Sequence, residues 1–262
     1  MDVLTVTVDL KMRARFDLLD KSGYLAGFWK MAMNMTAPLW WTVKNAEGPE
    51  EIRNGTICLI RAPGAVLGVT ADHVFNQYLV DRQAGVVVSC QIAGATWEPR
   101  DYLVDRSAGA ELDVAVFRLP EFIVWSSPDI YPHEPLVWHP PPVLPGDVLL
   151  YGGYPQALRG EGDATVDFRF QSFATRVGDV SSSRIVLNPA PSNLYWPGHD
   201  GEAINEDWGG QSGGPVYRVI DANPPHELID RLELVGVITD KVFGQIVAVP
   251  ITCVHHDGTI LH

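Results

Sequence analysis

The stretch Gly209–Tyr217, GGQSGGPVY, sets four glycines and a proline around one serine. Glycine loses more backbone entropy on folding than any other residue. A cluster of it therefore marks a place where the chain must take positive φ or come unusually close to something. A surface turn would satisfy the first condition. A serine whose neighbouring N–H groups converge on one point would need both.

The rest of the 262-residue chain supplies the setting. Apolar residues make up 46% and charged residues 19%, and 24 glycines and 20 prolines punctuate short runs rich in Val, Ile and Leu. Helical periodicity is scarce, so the pattern predicts an all-β protein. Residues 1–37 read as an N-terminal extension, with a short amphipathic helix expected in GYLAGFWKMAMNM (23–35). Strand signals then begin: LWWTV (39–43), TICLI (56–60), AVLGV (65–69), VVVSCQI (86–92), DYLV (101–104) and VAVFRL (114–119). Residues 127–146 hold seven prolines and predict an extended strap. Beyond it come VLLYGGY (148–154), FRFQSFATRV (168–177), RIVLN (184–188), PVYRVI (215–220), LELVGVIT (232–239) and QIVAVPI (245–251). Two sets of about six strands, 38–126 and 147–262, suggest two packed barrels.

Charge and cysteine usage narrow the function. A net charge of −13 without a Lys/Arg cluster argues against a nucleic-acid surface. No window approaches 18 uncharged apolar residues, and the N-terminus carries neither a basic n-region nor an apolar h-region; no membrane span or signal peptide is expected. Cys58, Cys90 and Cys253 are too few for a disulfide framework, and their spacing fits no zinc site. A reducing, cytoplasmic setting follows as the expectation, with no metal and no cofactor. His255-His256-Asp257 reads as a frayed terminus, with an adventitious metal site as the alternative.

Two further motifs give the serine a chemical context. VTADHVF (69–75) ends a strand and places His73 at the start of a short helix; LDVAVFRL (112–119) puts Asp113 at the head of a buried strand. A serine hydroxyl must give up its proton to a base as it attacks, and imidazole, with an ordinary pKa of about 6.5, is suited to take it. An aspartate behind the ring fixes its tautomer and stabilises the imidazolium. Backbone N–H groups of Gly210 and Ser212, unobstructed by side chains, could receive the oxyanion of a tetrahedral intermediate.

TADHV, DVAV and GQSGGP, in the order His, Asp, Ser, resemble the chymotrypsin-type (trypsin-like) serine peptidases, in the style of their bacterial disulfide-free members. The likeness extends over about residues 38–252. It implies two Greek-key β-barrels of about six strands with the active site between them. Ser212 would be the nucleophile, His73 the general base and Asp113 its orienter, with protein or peptide substrates. The same resemblance sets Glu206 on the floor of the primary pocket and Thr239, Asp240 and Lys241 on the cleft wall, leaving basic, small or acidic preference open. Gln211 stands where zymogen-activated members carry an aspartate, so activation by N-terminal trimming is not expected. Three readings remain: an endopeptidase, with its site held immature by residues 192–210 or 1–37 until a protein partner or substrate orders it; a retired double barrel that binds; or a self-processing protease.

Overall fold

A computed structural model of the chain describes residues 21, 23–45, 48–108, 112–127, 130–135, 138–161, 166–188, 209–221, 229–242 and 244–261. Helix α1 (Tyr24–Asn34) leads into β1 (Thr36–Val43), whose TAPLWWTV alternates buried and half-buried positions, as a strand with one inward face must. Pro38, which cannot donate to a ladder, pairs only with Thr56 of the next strand; the second neighbour of β1 joins from Leu39 onward. There follow β2 (Glu51–Ala62), β3 (Ala65–Thr70), α2 (Asp72–Gln83), β4 (Val87–Ile92), β5 (Ala95–Thr96), β6 (Leu103–Ala108), β7 (Asp113–Leu119) and the short α3 (Glu121–Trp125). These strands form one antiparallel sheet in the order β5-β4-β1-β2-β3-β7-β6, seven strands where about six were expected.

The second half contains β8 (Val148–Gly153), the two-residue strands β9 (Gly160–Glu161) and β10 (Val166–Asp167), β11 (Gln171–Val180), β12 (Ile185–Leu187), β13 (Pro215–Asp221), β14 (Ile229–Val242) and β15 (Gln245–Pro250). Six of them close a barrel in the order β11-β12-β15-β14-β13-β8. The molecule is thus all-β, a closed barrel beside a second sheet. The strand expected at 101–104 begins later. Pro99 fixes φ and the Glu98 carboxylate accepts the Arg100 N–H at 3.4 Å, which makes Pro99–Tyr102 a 3-10 turn that feeds β6. The C-terminal residues are not frayed: Val254 bridges Ile260, and the His255 N–H donates to the Thr259 carbonyl at 2.8 Å.

Three apolar clusters hold this arrangement. Trp41, Ile57, Leu59, Phe75 and Phe117 fill the first sheet, and Leu149, Tyr151, Phe173 and Ile246 fill the barrel. A third cluster joins the halves, with Cys58, Ile60, Leu67 and Val116 meeting Leu150, Tyr217, Leu234 and Val249. The proline-rich connection lies along this seam. His133 exchanges backbone bonds with β2, its N–H to Leu59 O at 2.8 Å and its O from Arg61 N–H at 2.7 Å. Arg218 of β13 donates to the carbonyls of Pro141 and Pro142 at 3.0 and 3.1 Å.

The His133 ring is 7% exposed and packs edge-on against Tyr217, with ring centroids 5.7 Å apart. Burial pushes its imidazole down to about 4, against a smaller upward pull from the Glu233 charge. The unfolded chain takes that proton near pH 6.5 while the folded chain holds off until about pH 4. Stability therefore falls as pH drops through this window, by up to ~3 kcal/mol at about 1.4 kcal/mol per pH unit. His133→Leu should flatten the fall of Tm between pH 6.5 and 4.5 in a calorimetric series, whereas a profile as steep as wild type would place the acid sensitivity elsewhere.

Candidate active site

Helix α2 begins without a side-chain cap of its own, because its N-cap residue is Ala71. The Asp113 carboxylate, at the head of β7, fills that role from across the sheet. Its Oδ1 accepts the backbone N–H of His73 at 2.8 Å, and its Oδ2 lies 2.6 Å from His73 Nδ1. With the ring proton on Nδ1 facing the carboxylate, Nε2 is left free to accept a proton. Register explains the meeting: β3, which ends at Thr70, pairs with β7 so that Thr70 faces Ala115, two residues from Asp113.

Two further clamps hold the helix. Asp72, 3% exposed, places Oδ2 at 2.7 Å from an Arg106 guanidinium nitrogen, and that guanidinium lies 5.4 Å above the Phe75 ring. Near the C-terminal end, Asp81 accepts from Trp41 Nε1 at 2.8 Å and from Arg53 at 3.0 Å. Neither Arg106 nor Asp81 carried a sequence signal, because both lie outside the three motifs.

The serine turn sits on the other half and is tied to β2 through Thr56. The Thr56 N–H donates to Ser212 O at 2.8 Å, its Oγ1 donates to Gly210 O at 2.8 Å, and its own carbonyl accepts Thr70 Oγ1 at 2.6 Å. Thr70 is three residues from His73, so one threonine links the strand that delivers the imidazole to the turn that delivers the serine. Gly210 and Gly213 both have φ +92, a backbone region hostile to side chains. A Cβ at Gly213 would stand 1.8 Å from Thr56 O. The N–H groups of Gly210 and Ser212 have no acceptor among the described residues, while Gly213 N–H is engaged by Ile238 O at 2.7 Å. No hydrogen bond joins Ser212 Oγ to the His73 ring among the described residues.

Gln211 turns inward instead of pairing with a chain terminus. It is 1% exposed, and its Nε2 donates to Gln171 Oε1 on β11 at 3.0 Å. Of the residues expected along the cleft, Thr239 is buried in β14 with Oγ1 3.4 Å from Val247 O. Asp240 and Lys241 are exposed just beyond a register shift between Ile238 and Asp240. Glu206 lies outside the described residues. Among the described residues, no group of three His, Cys, Asp or Glu side chains is arranged to hold a metal, and no helix is long and apolar enough to cross a membrane.

Opposing effects act on the imidazole. Burial pulls His73 down, but the hydrogen bond and charge of Asp113, with the charges of Asp240 and Asp72, outweigh it and hold the ring above its ordinary 6.5. The charge of Asp240 thus acts on the histidine from the opposite half.

No family model matches the sequence, and no curated protein matches it. Among solved structures, the chain is similar to the serine protease domain of the Sesbania mosaic virus polyprotein, at 17% identity over 81% of this chain and 87% of that one, with a TM-score of 0.40.

The electrostatics give a direct test. Asp113→Asn should lower the midpoint of the His73 titration most, and Asp72→Asn and Asp240→Asn should each lower it by less, read from the imidazole C2 proton by NMR. A midpoint unmoved by Asp240→Asn would remove β14 from the electrostatic environment of the histidine.

Proposed function

We propose that the chain is a serine endopeptidase that hydrolyses peptide bonds in protein or peptide substrates through an acyl-enzyme. The observation that carries this reading is the double contact of Asp113 with His73, which presents Nε2 as a base. Ser212 stands in a glycine turn locked to the same strands through Thr56. In the first step Ser212 Oγ attacks the scissile carbonyl while His73 Nε2 takes its proton, and Asp113 stabilises the imidazolium. The carbonyl oxygen becomes an oxyanion received by the free N–H groups of Gly210 and Ser212, each such donor contributing about 3 to 4 kcal/mol in known cases. The imidazolium then protonates the leaving amine, and water repeats the sequence to release the acid. The three buried free thiols suit a reducing, cytoplasmic setting for this activity.

Asp240 and Lys241, exposed at the end of the cleft strand, are the side chains proposed to meet a substrate near the scissile bond, with Glu206 completing the pocket. The gated form of the reading is compatible with the described residues, among which no hydrogen bond joins Ser212 Oγ to His73. Binding of substrate or of a protein partner would then draw the pair together, as catalytic hydrogen bonds often tighten only in the complex.

A fluorophosphonate probe followed by intact-mass analysis tests the assignment. One adduct is expected on wild type and none on Ser212→Ala, and Asp113→Asn should lower kcat by about four orders of magnitude, as in the chymotrypsin-type template. An adduct that persists on Ser212→Ala would assign the nucleophile elsewhere. No adduct on wild type, with or without a peptide substrate present, would favour a retired barrel that binds.

A further inference from the structure

Where the proline-rich connection passes the C-terminal turn, three imidazoles stand side by side. The His255 and His256 ring centroids are 4.0 Å apart, and the His139 centroid, on the connection, is 6.3 Å from that of His255. His255 is half-buried and the other two are exposed, so solvent reaches all three.

The backbone beneath these rings is fixed. Val254 bridges Ile260 across the turn, the His255 N–H donates to Thr259 O at 2.8 Å, and the Gly258 N–H returns to His255 O at 2.9 Å. The Ile260 N–H donates to Asp105 Oδ2 on β6 at 2.9 Å, which pins the turn to the first sheet. From the other side Trp138 Nε1 donates to Val254 O at 3.0 Å and its ring meets His256 edge-on. The neighbouring His139 is thereby delivered to the turn.

A carboxylate sets the protonation pattern. Asp257 Oδ1 accepts the Thr259 N–H and hydroxyl at 2.9 and 2.7 Å and lies 3.2 Å from His255 Nδ1. The ring proton of His255 thus belongs on Nδ1, and the Nε2 lone pair is left facing His256 Nδ1 at 3.1 Å. At rest the His256 Nδ1 proton fills that gap. Two nitrogens bound to one tetrahedral zinc are about 3.3 Å apart, so a metal ion can replace the proton after a small rotation of the rings. A carboxylate behind a ligating imidazole is the usual outer partner at such centres.

We propose that His255 Nε2, His256 Nδ1 and His139 form a site for a divalent transition-metal ion of the zinc class, with water completing the coordination. Two donors meet at rest, and no third stands with them among the described residues. Imidazoles that share a tetrahedral zinc have ring centroids about 5 Å apart, so the exposed His139 has roughly 1 Å to close. An all-imidazole donor set favours zinc, copper or nickel over magnesium and calcium, which seek oxygen. Binding releases the shared proton to solvent and ties the connection between the two halves to the C-terminal turn. The site does not rest on the peptidase reading.

Calorimetric titration of the tag-free full chain with Zn²⁺, with Mg²⁺ as control, tests it. Saturable binding with a Kd tighter than about 100 μM is expected for Zn²⁺ and none for Mg²⁺. The affinity should fall by about ten-fold or more in His255→Gln, His256→Gln and His139→Gln, and by about ten-fold in Asp257→Asn, which removes the orienting charge and no ligand. Zn²⁺ should also raise the melting temperature of wild type further than that of His256→Gln. Weaker Zn²⁺ binding than this would make the pair an adventitious ligand only and overturn the proposal. Wild-type affinity in both His255→Gln and His256→Gln would overturn it by placing the metal elsewhere, and wild-type affinity in His139→Gln would overturn the tie to the connection.

Discussion

One carboxylate organises the candidate site. Asp113 uses one oxygen to cap helix α2 at the His73 N–H and the other to hold the His73 ring, at 2.8 and 2.6 Å. Ala71 leaves the helix without a cap of its own, and a missing cap costs about 1 kcal/mol. The contact that orients the imidazole thus also fixes the helix that carries it. Backbone and ring cannot be positioned independently: any shift of α2 along its axis would break both bonds together. The Asp72–Arg106 and Asp81–Trp41 contacts constrain the same helix at its two ends, which leaves the ring little room to sample other orientations.

The second half contributes the serine through a lock of different character. Thr56 donates through its N–H and Oγ1 to the serine turn and receives Thr70 through its carbonyl, so the turn is bonded to strands of the first sheet as well as to its own barrel. At Gly213 the approach is so close that only hydrogen fits. Gln211 completes the lock from inside. Its neutral amide pair with Gln171 needs no freed N-terminus, and it avoids the several kcal/mol that an isolated buried carboxylate would cost. The joining apolar cluster, with Leu67 and Val116 on one side and Tyr217 and Val249 on the other, supplies the non-directional adhesion. The threonine and glycine contacts supply register.

How much of this was legible depended on whether a feature was local in sequence. Short runs rich in Val, Ile and Leu, separated by turn residues, revealed the strands of both halves, since both signals are local in sequence. VTADHVF, LDVAVFRL and GGQSGGPVY revealed His73, Asp113 and Ser212 because each motif carries its own punctuation. Helix α2 was expected to be short, yet it runs for 12 residues. It buries Asp72 and Asp81 along with Val74, Phe75 and Tyr78, so polar and apolar residues do not separate into the faces that periodicity detects. Arg106, Gln171 and Thr56 acquire meaning only through partners 34, 40 and 154 residues away. The 3-10 turn at Pro99–Tyr102 was hidden because DYLV has strand composition while its conformation is decided by the proline and glutamate before it.

Strand β3 connects the two ends of the first sheet, and its burial limits what that connection can do. From Leu67 to Thr70 every residue is buried, with Leu67, Val69 and Thr70 at 0% exposure, and the strand is hydrogen-bonded on both sides by β2 and β7. Protein interiors packed to crystal-like density shift between discrete arrangements rather than sliding continuously. A strand so enclosed has no second arrangement available without moving its neighbours. The strand that delivers His73 is therefore held in place by the packing of its neighbours, and the position of the imidazole is set at the end of β3 rather than along it.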